Sequence, residues 1–134
     1  MPANTSPIFG LTPILTNAQV TTQNTTRDAT GLNVVDVFTA SGNGCRIDTI
    51  KIKATGTTTA GMIRIFLYDG TSTRLFTEVL VTAITASATV ASFESTLVLD
   101  STVNYPIYMK SGDIVKATTQ VTETFNIEVQ GVAY

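Results

Sequence analysis

The chain of 134 residues contains no histidine. That removes the commonest general base and the commonest neutral metal ligand together. Nucleophilic catalysis of the Ser–His kind is thereby excluded, and the single cysteine, Cys45, lacks the imidazole that would activate it. A pair of carboxylates could hydrolyse a glycoside. Here, however, Glu94, Glu123, Glu128, Asp69 and Asp113 fall on the outward phase of strands or in turns, where a carboxylate is simply solvated. A calcium site needs several convergent oxygens. Asp69-Gly70-Thr71 and Asp113 could donate some, but their spacing matches no known loop. The Thr55–Gly61 loop has no lysine and no GxxxxGK[ST] pattern, so it is not a phosphate cradle. An aromatic platform for a sugar could use Tyr68, Tyr105, Tyr108 or Tyr134, although tyrosine serves equally at the rim of a core. The residues point to no enzyme, no cofactor and no metal.

Charge restricts the partners further. Charged residues make up 13% of the chain, the net charge is −2, and the eight basic residues are scattered. Without a Lys/Arg cluster to neutralise phosphates, nucleic acid is not an expected partner. No apolar run approaches the eighteen or so residues that cross a bilayer, and Met1 is not followed by a secretory pattern. No membrane partner is expected, and synthesis is expected in the cytoplasm. One cysteine forms no internal disulfide, so Cys45 reads as a small buried hydrophobe.

The elements that must carry these residues are strands. Threonine accounts for 26 residues, and a β-branched side chain suits a half-exposed pleated surface. The stretch around which the chain is organised is Gly61–Val81. Ile63, Ile65 and Leu67 alternate with Met62, Arg64, Phe66 and Tyr68, Asp69-Gly70-Thr71 turns the chain, and Leu75–Val81 returns. A strand apolar on both faces belongs at the centre of a sheet. Further strands are expected at Ala18–Thr22, Asn33–Ala40, Cys45–Ala54, Thr89–Asp100, Tyr105–Lys110, Ile114–Thr119 and Glu123–Tyr134. Within Cys45–Ala54 the apolar phase changes between Ile47 and Ile50, which a β-bulge near Asp48-Thr49 would reconcile. Gly131 breaks the phase of the last strand and marks a bulge or kink there.

Residues 1–17 read as an extended N-terminal arm, because Pro7, Gly10 and Pro13 prevent a helix and disfavour a central strand. Residues 18–134 form the domain. Ile8, Phe9, Leu11, Ile14 and Leu15 make the arm too apolar to stay in water. Two destinations remain open at this point: the open end of its own sandwich, or a neighbouring subunit. The expected fold is all-β, a single-domain antiparallel β-sandwich, jelly-roll-like rather than immunoglobulin-like because no core tryptophan is present.

Four blocks of the sequence, MPANTSPIFGLTPIL, RIDTIKIKATGTTTAGMIRIFLYDGT, SGDIVKATT and FNIEVQGVAY, together resemble a group of small bacteriophage proteins encoded among virion genes. The resemblance covers most of the chain and carries no catalytic motif. It implies a structural protein of the phage particle, and small β-sandwich capsid decoration (cement) proteins are the closest functional type. The major capsid protein would then be the partner, a homotrimer the assembly and the capsid surface the location. The arm residues Ile8, Phe9, Leu11, Ile14 and Leu15 would contribute to contacts. A tail or receptor-binding tip is the alternative, with the loops at Thr55–Gly61 and Asp69–Thr73 touching a host glycan.

Overall fold

The computed structural model describes residues 9–99 and 105–134. Among these residues the chain forms nine strands: β1 (Thr12–Val20), β2 (Val35–Thr39), β3 (Cys45–Ala54), β4 (Gly61–Tyr68), β5 (Thr73–Val81), β6 (Glu94–Val98), β7 (Ile107–Met109), β8 (Ile114–Thr119) and β9 (Phe125–Ala133). Every pairing between them is antiparallel.

The pairings are nested. β4 pairs with β5, β3 with β6, β2 with β8 and β1 with β9. The chain is therefore one long hairpin bent at the β4–β5 turn and rolled up. Rolling inserts β9 between β1 and β3, and β8 between β2 and β4. The result is two sheets, β1-β9-β3-β6 with the short β7 beside β6 on β3, and β2-β8-β4-β5. This nested order is that of a jelly roll. The turn residues at its bend behave as their chemistry dictates. The Asp69 carboxylate accepts from the backbone N–H groups of Thr71 and Ser72, and Gly70 takes φ 95°.

The core lies between the sheets. From the first sheet Ile47, Ile50, Ile52, Phe125, Ile127 and Val129 point inward, and from the second Ile63, Ile65, Val115 and Ala117. Each such large side chain contributes roughly 1.5–3 kcal/mol when fully buried. Phe93 meets Phe125 edge to face with centroids 6.4 Å apart. β4 is indeed interior to its sheet, and Phe66 on its other side is fully buried. The connection between β1 and β2 lies on the side of Arg64 and Glu78. It runs beside β8, where Asn24 N donates to Thr119 O, and reaches β5, where Arg27 meets Glu78. Asn24 braces it by donating to the carbonyls of Thr30 and Leu32 and accepting from Thr26.

The structure departs from the sequence expectations in three places. The first strand starts at Thr12 rather than Ala18, so residues 12–17, expected as part of the extended arm, belong to the sheet. β1 is a sheet edge, where the missing N–H of Pro13 costs no ladder bond. β6 covers Glu94–Val98 only, and Asp100, the expected end of that strand, lies outside the described residues. The register shift falls in β3 between Ile47 and Thr49, as the phase change indicates, whereas β9 runs through Gly131 in unbroken register with β1. Gly131 answers the bulge of its partner instead: a Cβ there would collide with the carbonyl oxygen of Arg46.

Candidate functional site

The outer face of the first sheet gathers most of the exposed large apolar side chains. Its rows follow from the register. Pro13, Val132, Arg46 and Tyr108 lie abreast, then Leu15, Gln130, Thr49 and Val98. Next come Asn17, Glu128, Lys51 and Thr96, and finally Gln19, Asn126, Lys53 and Glu94. The face is graded, apolar at the end where the N-terminal segment arrives and charged at the other. At the charged end Lys51 and Lys53 share Glu94 at 3.5 and 3.8 Å, a solvated ion pair of little energetic weight.

At the apolar end two patches flank a polar divide. On the β1 side Phe9, Leu11 and Leu15 are 69, 78 and 69% exposed. On the β6–β7 side Val98, Tyr105 and Tyr108 are 54, 79 and 67% exposed. The second patch borders an open depression of about 560 Å³ lined by Val98, Leu99, Tyr105, Pro106 and Tyr108 together with Arg46, Asp48 and Thr49. The divide is the β3 bulge. A bulge places two successive residues on one side of the strand, so Asp48 and Thr49 line both this depression and a smaller one of about 320 Å³ against Pro13 and Leu15. Arg46 Nε donates to Asp48 Oδ1 at 2.8 Å, and this bond raises the Arg46 pKa further.

Of the contact residues expected from sequence, Phe9, Leu11 and Leu15 come together on this face. Ile14 does not: it turns inward and packs against the core, because strand alternation sends it opposite to Leu15. Ile8 lies outside the described residues. Gly10 sits directly on Val132, where a Cβ would collide with the valine methyl groups, so the segment entering β1 lies over β9. Tyr105 and Tyr108, which the sequence offered only among four tyrosines for a sugar platform, also come to this face. Their shared signal is the Tyr-Pro-Ile-Tyr spacing, but only the pairing of β7 with β3 sets them beside Arg46.

The remaining chemistry-bearing side chains are committed to structure. Glu123 accepts from the N–H and hydroxyl of Thr59. Asp113 holds Lys110 at 2.8 Å. Cys45 is buried, and that burial, with Asp113 nearby, pushes its thiol pKa up and away from reactivity. Arg64 is 3% exposed on the outer side of β4, where it donates to Gln120 Oε1 at 2.7 Å and stands 3.9 Å from Glu78. Glu78 is held below the usual carboxylate range by its bond from Arg27 and by the charges of Arg27 and Arg64. The loops at 55–61 and 69–73 flank opposite ends of β4, so they form no common site. Among the described residues no group of three metal-capable side chains comes together.

No protein-family model matches the chain, and no curated protein matches it. Among solved structures, a pentameric capsid protein isolated from metagenomic phage sequences is similar to it with a TM-score of 0.43 and 13% sequence identity. The likeness covers 93% of this chain and 64% of that one, so the chain spans less than two thirds of that protein's length.

Proposed function

We propose that the chain is a non-enzymatic structural protein of a phage particle, specifically a capsid decoration protein that binds the major capsid protein between capsomers and associates with copies of itself. The observation that carries this reading is the apolar end of the outer face, where six large apolar side chains, on the strands and on the segments that enter them, are 54 to 79% exposed. Exposed apolar patches of this size, one on each side of the polar divide, mark a contact with another macromolecule. The sequence blocks that resemble phage virion proteins supply the identity of the particle, and a trimer remains the assembly expected from that resemblance.

Deleting residues 2–10 tests it, because the cut stops short of the Leu11 N to Ala133 O bond that extends β1 on β9. The shortened protein should keep its melting profile but lose retention on capsids stripped of the native protein. Retention equal to that of the full chain would remove the N-terminal segment from the contact. Copy number separates this reading from a tail tip: hundreds per particle for a decoration protein, a handful for a tip.

A further inference from the structure

The turn Ser41-Gly42-Asn43-Gly44 reverses the chain between β2 and β3. Gly44 N donates to the Ser41 carbonyl at 3.1 Å, and the Gly44 carbonyl accepts from Tyr134 N at 3.1 Å. Asn43 is exposed, and among the described residues its carboxamide makes no hydrogen bond. It is also the one asparagine of the chain that is followed by glycine. A backbone nitrogen attacks the preceding side-chain carboxamide most readily when its own residue has no Cβ to block the approach. The other described asparagines lack this freedom. Asn24, Asn33 and Asn126 precede the β-branched Thr25, Val34 and Ile127, and their side chains are hydrogen-bonded to Thr30 and Leu32, to Gln23 and to Gln19. Asn17 precedes Ala18 inside the β1–β9 ladder.

We propose that Asn43 is a site of spontaneous modification, where the folded protein converts asparagine to aspartate and isoaspartate. Hydroxide takes the proton of Gly44 N, and the nitrogen attacks Asn43 Cγ. A C–N bond forms, the Cγ–Nδ2 bond breaks, and ammonia leaves with a proton from water. Water then opens the cyclic imide at either carbonyl. Opening at Cγ returns the ordinary chain with an aspartate, and opening at the main-chain carbonyl routes the chain through the side chain as isoaspartate. The bond from Gly44 N to Ser41 O slows ring closure. It lies beside three exposed residues, however, and opens locally without global unfolding.

The isoaspartyl product matters to the fold. It adds a methylene to the main chain, and Gly44 has no room to absorb the shift. A Cβ there would collide with the Met109 carbonyl oxygen, and both backbone groups of Gly44 are already bonded. The strain therefore reaches β7 through Met109 and the end of β9 through Tyr134. Either product also places a negative charge next to the β7–β8 turn, which carries Asp113 and is bonded to Ala40 at 2.9 Å in both directions.

Peptide mapping by mass spectrometry of the full-length protein, held folded at neutral and at mildly alkaline pH, tests the assignment. Asn43 should convert at least roughly tenfold faster than any other described asparagine, a barrier lower by about 1.4 kcal/mol. The rate should rise in proportion to hydroxide and be slower than in the same chain held in urea. Asn43→Gln, which would have to close a larger ring, should stay unmodified at this position. The isoaspartyl form, separated by ion exchange, should melt below both the unmodified protein and Asn43→Asp. First conversion at another described asparagine, a rate indifferent to pH, or a folded protein still intact at Asn43 after the urea-treated chain has converted would each overturn the site. Equal melting of the isoaspartyl form and Asn43→Asp would overturn the strain carried through Gly44.

Discussion

Gly131 and the β3 bulge are fitted to one another, and the fit is unforgiving because the obstructing atoms are backbone: the Arg46 carbonyl and the Ile47 Cα. A flexible side chain could swing aside, but a paired strand cannot. Gly131→Ala is expected to cost at least about 1–3 kcal/mol, the usual range for forced overpacking, measured by urea denaturation. Gly42→Ala is not an equivalent control because its φ is 60°, whereas Gly56→Ala meets open space at an ordinary φ and should be near neutral. Acid sensitivity also belongs to particular residues. Glu78 titrates below its ordinary 4.5 because of Arg27, and Asp28 and Asp69 titrate below 3.8 because Thr30, and Ser72 with Thr71, donate to them. Depressed folded-state values mean that the unfolded chain takes up these protons first as pH falls. The stability they contribute is therefore intact above the ordinary values and is lost as pH falls through them toward the folded ones. Melting temperature should decline below about pH 4.5, and Glu78→Gln should make that decline shallower. An unchanged slope in the variant would mean that Glu78 contributes nothing to acid stability.

At the scale of elements, the alternation that builds the core also made much of it readable. Cys45–Ala54 and Ile114–Thr119 coincide with β3 and β8. The change of phase between Ile47 and Ile50 located the bulge because an inward isoleucine on each side of it requires one extra residue. β1 was less legible. Its proline, Pro13, signals irregularity, and only its position on an edge strand makes it tolerable. Gly131 carried a true signal with the wrong owner, since a glycine can serve a distortion in its own strand or in its neighbour's. The outer-face patches were half legible: Phe9, Leu11 and Leu15 stand together in sequence, but Tyr105 and Tyr108 meet Arg46 only through long-range pairing. In the core, Phe125 of β9 meets Phe93, which lies against the end of β3 just before β6, so both rings belong to the first sheet. Phe125→Ala, which removes the ring that Phe93 packs against, should cost roughly 3–5 kcal/mol. Guanidinium denaturation reads this directly, and a loss under about 1 kcal/mol would mean that the site collapses around the missing ring.

For the whole molecule the nested pairing sets the kinetics. The strand pairs widen from β4–β5, a local hairpin, to β1–β9, which joins the two ends of the described chain. Contacts of such long sequence separation place folding in the millisecond-to-second range or slower. Stopped-flow refolding should show native fluorescence or circular dichroism arriving on that scale, and complete recovery within the dead time would contradict it. The same nesting has a mechanical consequence. Thr12 stands opposite Ala133, and the pairs then run inward to Val20 opposite Phe125. Tension applied between the two ends of the chain loads the Thr12–Ala133 pair first, then the next, opening β1 from β9 like a zipper. Force delivered along the face of the sheet must instead shear many cross-strand bonds at once. The molecule is thus compliant when pulled by its ends and stiff when loaded across its face, which suits a part that is clamped by surface contact rather than tethered by its tails.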